Sequence, residues 1–390
     1  MHLAGIMEKT TDEEVPDRME MQYVCPRCGR RYPVEAGRWK CSCGGCLSLD
    51  FQAPPLDFEA LAASKERSLW RYAQALPLEH GVSRRVCMGE GGTPLIPLGD
   101  DAPHVLIKGE YFAPTLSFKD RGAAVLMALA AQLGVTSCVA DSSGNAGTAI
   151  AAYGARLGME CHIYVPASGS EKKIAQIKAH GAHIHPISGS REDTAAAAIR
   201  QVEKEGAFYA SHIYNPFFHQ GTKTYVYELY EQLGGRLPDV LIVPVGNGTL
   251  LLGVFRGLED LRRWGMLEKV PLVLAVQAQN CSPIAQAFAS GGDHWQPVPT
   301  SPTEAEGIAI AAPARGDEML AALRAWGGQC ITVTEEQILT AREQLARRGI
   351  YVETTSAANL AALAQYQHAC PNWQKQCIVV PACGAGVKSH

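Results

Sequence analysis

The 390-residue sequence predicts an α/β protein, two domains on parallel-rich sheets preceded by a small cysteine-rich ribbon. Three observations carry this. Short continuous apolar runs alternate with helical segments, as strands do when a parallel sheet is covered on both faces. Three strand–turn–helix junctions are rich in Gly, Ser or Asn. Five of the 13 cysteines fall between positions 25 and 46, and the rest are scattered.

The elements are taken in order. The start, "MHLAGIMEKTTDEEVPDRME", has no long apolar stretch and reads as a flexible tail over 1–19 rather than a signal peptide. Next comes "YVCPRCGRRYPVEAGRWKCSCGGCLSLD", the core of a ribbon over 20–52. Cys25 and Cys28 form C-x-x-C; Cys41, Cys43 and Cys46 follow. Zinc in a structural site takes four ligands in a tetrahedron, and four thiolates leave no position open for water. Cys25, Cys28, Cys41 and Cys43 are the expected set, because Gly44-Gly45 then follows the last ligand as a turn. Cys46 is the alternative. So short a segment buries little surface, and Zn²⁺ would supply its folding energy.

In the body, "VLIKGE", "SCVAD", "CHIYVP", "HIHPIS", "DVLIVPVG", "PLVLAVQA" and "CIVVPACGAG" read as strands. "AAVLMALAAQLG", "NAGTAIAAYGARLG" and "SEKKIAQIKAHGA" read as helices. The turns "SSGNAG" and "GNGT" open helices, where free backbone amides suit anions. Neither turn matches G-x-G-x-x-G, so a dinucleotide site is not expected.

Composition narrows the classes. The chain is 47% hydrophobic and 19% charged, with a formal charge of -4. No basic face is advertised, so nucleic acid is not an expected partner. No apolar run approaches the roughly 18 residues that span a bilayer. The expected setting is the cytoplasm.

"PTLSFKDRGAA" sets Lys119 between Phe118 and Asp120, just ahead of an apolar helix. A lysine that forms a Schiff base must be unprotonated part of the time, and partial desolvation favours that. "PTLSFKDRG", "SSGNAGTAIAAYGARLG", "PVGNGTLLLG", "VETTSAANLAAL" and "PACGAGVK" then occur in an order that resembles fold-type II (tryptophan synthase β-like) pyridoxal-phosphate enzymes. The chain looks most like the threonine synthases, some of which carry an N-terminal zinc ribbon.

The resemblance implies pyridoxal 5′-phosphate on Lys119, which also serves as general base. It places Phe118 and Asn145 at the cofactor ring, and Gly246, Asn247, Gly248, Thr249 and Leu250 around the cofactor phosphate. Cys383 takes the place of the Ser or Thr beside the pyridine nitrogen. Ser142, Ser143, Gly144, Ala146 and Thr93 would hold an amino-acid substrate. A large domain (53–118 and 215–390), a small domain (119–214) and a homodimer are implied too. One segment departs from the pattern. "NPFFHQGTKT" puts Phe218 where threonine synthases carry an arginine for the phosphate of O-phosphohomoserine, with His219, Lys223, Lys172 and Lys173 as other candidate phosphate contacts. A phenylalanine cannot make that contact. It favours, as the alternative, a serine or threonine ammonia-lyase or a β-replacement synthase joining sulfide or sulfite to an activated serine.

Overall fold

In this computed structural model, residues 21–79, 81–169 and 171–388 are described; the expected tail, 1–19, lies outside them. The ribbon is a three-stranded antiparallel sheet in the order β2-β1-β3, from β1 (Gln22–Val24), β2 (Arg31–Pro33) and β3 (Ser48–Asp50). Two short helices, α1 (Phe58–Ala63) and α2 (Ser83–Val86), lead to an antiparallel pair, β4 (Leu95–Pro97) and β5 (Val105–Lys108).

A four-stranded parallel sheet follows, β8-β7-β6-β9. It comprises β6 (Ser137–Ala140), β7 (Glu160–Pro166), β8 (His183–Ile187) and β9 (Phe208–Tyr209). Its crossovers are α4 (Asn145–Leu157), α5 (Glu171–Ala179) and α6 (Arg191–Glu205). The second sheet, β12-β11-β10-β13-β5-β4, uses β10 (Val240–Pro244), β11 (Leu272–Ala278), β12 (Gln329–Val333) and β13 (Ile378–Pro381). All its pairings are parallel except β4 with β5. β10 and β13 are buried at every position, which explains their unbroken apolar sequences.

α3 (Lys119–Gln132) is buried from Asp120 to Ala130. A helix apolar on every face belongs inside, and α3 does not show a polar stripe. Beyond it lie α7 (Pro216–Thr222), α8 (Thr224–Gln232) and α9 (Thr249–Arg263), then α10 (Pro283–Ala289), α11 (Gly316–Ala325), α12 (Glu335–Arg347) and α13 (Thr354–Ala369). α7 approaches α3 and α9 through glycine. A Cβ at Gly221 would overlap the Arg121 carbonyl, and one at Gly253 would overlap Thr222.

The ribbon docks on the body. Trp39 meets Tyr209 and Tyr214 edge-on, with ring centroids 5.3 and 5.0 Å away. Arg315, fully buried at its side chain, donates to the carbonyls of Leu47 (2.8 Å), Ile213 (2.6 Å) and Tyr214 (2.7 Å). One guanidinium thus ties the ribbon to the segment entering α7. No described helix is long and apolar enough to cross a membrane.

Candidate active site

Lys119 begins α3, and its amine donates to the Thr249 hydroxyl at the start of α9, 2.8 Å away. The Phe118 ring lies against it, 4.2 Å from the amine to the ring centroid. Burial lowers the Lys119 pKa to about 8, so about a tenth of the amine is unprotonated at pH 7, far more than for an ordinary lysine. The backbone before it is pinned. Phe118 N–H donates to the Cys383 carbonyl (3.0 Å), and Asp120 accepts from the Thr115 amide and hydroxyl (2.7 and 2.6 Å). Leu116, at φ 62°, is the one described non-glycine residue with positive φ. That conformation costs roughly 1 kcal/mol or more for a branched side chain.

Residues Asp141 to Asn145 are partly exposed, although the strand before and the helix after them are buried. α4 starts at Asn145 with no side chain capping it, so amides at its first turn face outward. Ser142 Oγ accepts from Gly144 N–H at 3.3 Å. Asn145 donates to Glu353 (2.8 Å), and its own Oδ1 is buried without a partner. Glu353, only 5% exposed, was not singled out from sequence. A Cβ at Gly384 would overlap its carboxylate, so the "ACGAG" turn needs glycine there.

Cys383 is buried, and burial pushes its thiol well above the ordinary range. It therefore stays a neutral S–H. Gly248 caps α9 at φ 76°, where a Cβ would also overlap the Met319 sulfur. The α9 amides thus start from a bare glycine turn, which suits a phosphate. The donor set fits the cofactor implied by the resemblance: an amine, an uncapped helix start for phosphate, an unmatched amide, and a neutral partner for a ring nitrogen.

Thr93 lies elsewhere. Its hydroxyl donates to Glu110 (2.7 Å) and Glu228 (3.1 Å), within a buried cluster that also holds Lys108 and Arg121. In this structure its hydroxyl is engaged with that cluster. Phe218 is fully buried, its ring against Gly122 and edge-on to His212 at 5.9 Å. Lys223 is bound to Asp260 (2.9 Å), and Lys173 to Glu306 (3.2 Å). Lys172, Lys173 and Lys388 line a cavity of about 240 Å³ beside Leu116.

In the ribbon, the sulfurs of Cys25, Cys28, Cys41 and Cys43 all lie within 4.8 Å of one another. Tetrahedral zinc places thiolates about 3.8 Å apart; the Cys25–Cys43 and Cys28–Cys41 pairs are at 3.6 and 3.5 Å. Cys46 instead faces the Ala314 carbonyl at 3.6 Å.

Comparisons with known proteins bear on the family and the fold. A family model described as pyridoxal-phosphate dependent enzyme matches residues 86–384. A threonine synthase of Methanocaldococcus jannaschii is 33% identical over 87% of this chain and 86% of its own. One from Methanosarcina acetivorans is 34% identical over 87% and 85%. Among solved structures, maize serine racemase superposes with a TM-score of 0.68 at 25% identity, covering 78% of this chain and 91% of its own. Threonine deaminase isoform 2 of Solanum lycopersicum shares the fold, with a TM-score of 0.65 at 24% identity over 75% and 79%. On the family match over residues 86–384 and these relatives, the chain belongs to the family of pyridoxal-phosphate dependent enzymes and is a homologue of the threonine synthases.

Proposed function

We propose that the protein converts O-phosphohomoserine and water to threonine and phosphate. The observation that carries this reading is Lys119, its pKa lowered, between the Thr249 hydroxyl and the Cys383 turn. Similarity to threonine synthases over 86% of a relative's length supports the reaction class. When bound, pyridoxal phosphate supplies the electron sink for elimination and replacement. Lys119 would hold it and, once released by substrate, move the α-proton. Ser142, Ser143, Gly144 and Ala146 would orient the substrate carboxylate on the amides of α4, and Asn145 would meet the cofactor ring. The neutral Cys383 thiol would not keep a ring nitrogen charged, which suits elimination over amino transfer.

Closure of the 119–214 unit over the 53–118 and 215–390 unit would exclude water. We place Zn²⁺ on Cys25, Cys28, Cys41 and Cys43 in a structural role, and expect a cytoplasmic homodimer.

One observation favours a second reading. The position of the expected arginine is the buried Phe218, and the neighbouring His212 is held neutral by burial and by the Lys119 and Arg191 charges. An apolar, uncharged wall suits β-elimination on serine or threonine, or β-replacement on an activated serine. A turnover panel separates the two: O-phosphohomoserine, threonine, serine, and O-phosphoserine with and without sulfide or sulfite. Threonine and phosphate from O-phosphohomoserine alone support the first reading. Keto-acid and ammonia, or a sulfur-containing product, would replace it with the second.

A further inference from the structure

His219 is fully buried on α7, and neither of its ring nitrogens has a hydrogen-bond partner among the described residues. A neutral imidazole carries one N–H donor and one lone pair. Interiors pair such groups, and an unmatched one calls for a ligand or ordered water.

The surroundings say which kind. α7 lies along the first turns of α9: Thr222 Oγ1 donates to the Thr249 carbonyl at 2.8 Å, and Gly253 leaves room for Thr222. Thr222 faces Gly253 and Val226 faces Gly257, so the chain through α7 and α8 advances along α9 in the same direction, and His219, one turn before Thr222, lies on the side of the α9 start. Met319 fills the space beside Gly248 in the turn that opens α9, and Arg315 precedes Met319 by one turn. Beyond burial, the groups acting on His219 are Arg315 and Arg256, then His212 and Lys119. One carboxylate, Glu318, pairs with both arginines at 2.8 and 2.9 Å, which leaves the surroundings positive. Burial and these cations hold the imidazole neutral, so it offers an N–H donor in a site that favours an anion.

We propose that His219 belongs to the cradle of the cofactor's phosphate, donating its ring N–H to a phosphate oxygen beside the amides at the start of α9. The proposal deepens, and rests on, the assignment of the Gly246–Leu250 turn to that phosphate. No arginine or lysine is then needed there.

The test compares pyridoxal phosphate with pyridoxal, which lacks the phosphate. Both are titrated into full-length, cofactor-stripped protein and read by visible absorbance. The wild type should bind pyridoxal phosphate far more tightly. His219→Leu should weaken pyridoxal phosphate about tenfold, the loss of one hydrogen bond to a charged group, and leave pyridoxal within about twofold. His219→Gln, which keeps a donor, should recover most of the loss. His219→Leu should also raise the melting temperature of the stripped protein, because it removes an unmatched polar group. Equal weakening of both ligands, or a leucine variant that does not fold, would overturn the proposal in favour of a packing role. Unchanged binding of both, with a raised KM for a phosphorylated substrate, would overturn it in favour of the leaving-group side. A wild type with no preference between the ligands would instead defeat the assignment of the turn itself.

Discussion

At Lys119, desolvation by the Phe118 ring and the α3 packing outweighs the nearby Cys383 and Glu353, and the pKa falls to about 8. The sign follows directly. The free amine is scarce below that pH and dominates above it. The rate at which stripped protein takes up pyridoxal phosphate should therefore rise about tenfold per pH unit on the acid side and level off above about 8. Stopped-flow absorbance measures it; a rate still climbing at pH 10 would mean an ordinary exposed lysine. Phe218 gives the second residue-scale prediction. Its ring is fully buried and packed against Gly122, so Phe218→Arg would force a charge into space shaped for an apolar ring. We expect a loss of about 3 kcal/mol or more in denaturant unfolding, and no gain of threonine synthase activity. A stable Phe218→Arg enzyme with improved use of O-phosphohomoserine would show that the site was built for arginine after all.

Between elements, α3, the helix that begins at Lys119, is held by buried ions. Arg121, two residues after Lys119, pairs with Glu110 (2.7 Å) and Glu228 (2.9 Å), and Lys108 also pairs with Glu228. Two cations against two carboxylates leave the cluster neutral, and Arg121 holds the Glu228 carboxyl far below its usual range despite burial. Glu228→Gln removes one charge from a dry network joining α3, β5 and α8. It should cost about 3–5 kcal/mol, read as a lower denaturant midpoint; a change under about 1 kcal/mol would show that water reaches the cluster. The sequence announces the local parts of the site. The "SFKDRG" helix start and the "SSGNAG" and "GNGT" turns depend on neighbours within a few residues, and the structure has helices starting at Lys119, Asn145 and Thr249. What it hides is pairing at long range. Glu353 meets Asn145 across 208 positions, and Thr93 meets Glu228 across 135. Thr93 sits in a glycine turn like those at the site, so nothing local marks it as part of an ion cluster. His219 likewise gains meaning only once α7 is seen beside α9.

Over the whole molecule, the ribbon and the segment entering α7 share a joint at Arg315, which binds carbonyls of Leu47 and of Ile213 and Tyr214. Loss of metal should therefore reach that segment. The four-sulfur geometry predicts one zinc per chain by elemental analysis, lost in Cys43→Ser and kept in Cys46→Ser. Chelation should lower both the melting temperature and the turnover; metal retained by Cys43→Ser but lost by Cys46→Ser would reverse the ligand assignment. The division into sheets was readable because each crossover helix lies between its strands in sequence. The docking of ribbon on body was not, since Trp39 and Tyr209 are distant in the chain. All of this turns on a covalent bond to one amine. Borohydride reduction of the cofactor-loaded protein, followed by peptide mapping, tests it most directly. The label should sit on the peptide containing Lys119 and vanish in Lys119→Ala; a label on any other lysine, or none, would contradict the account.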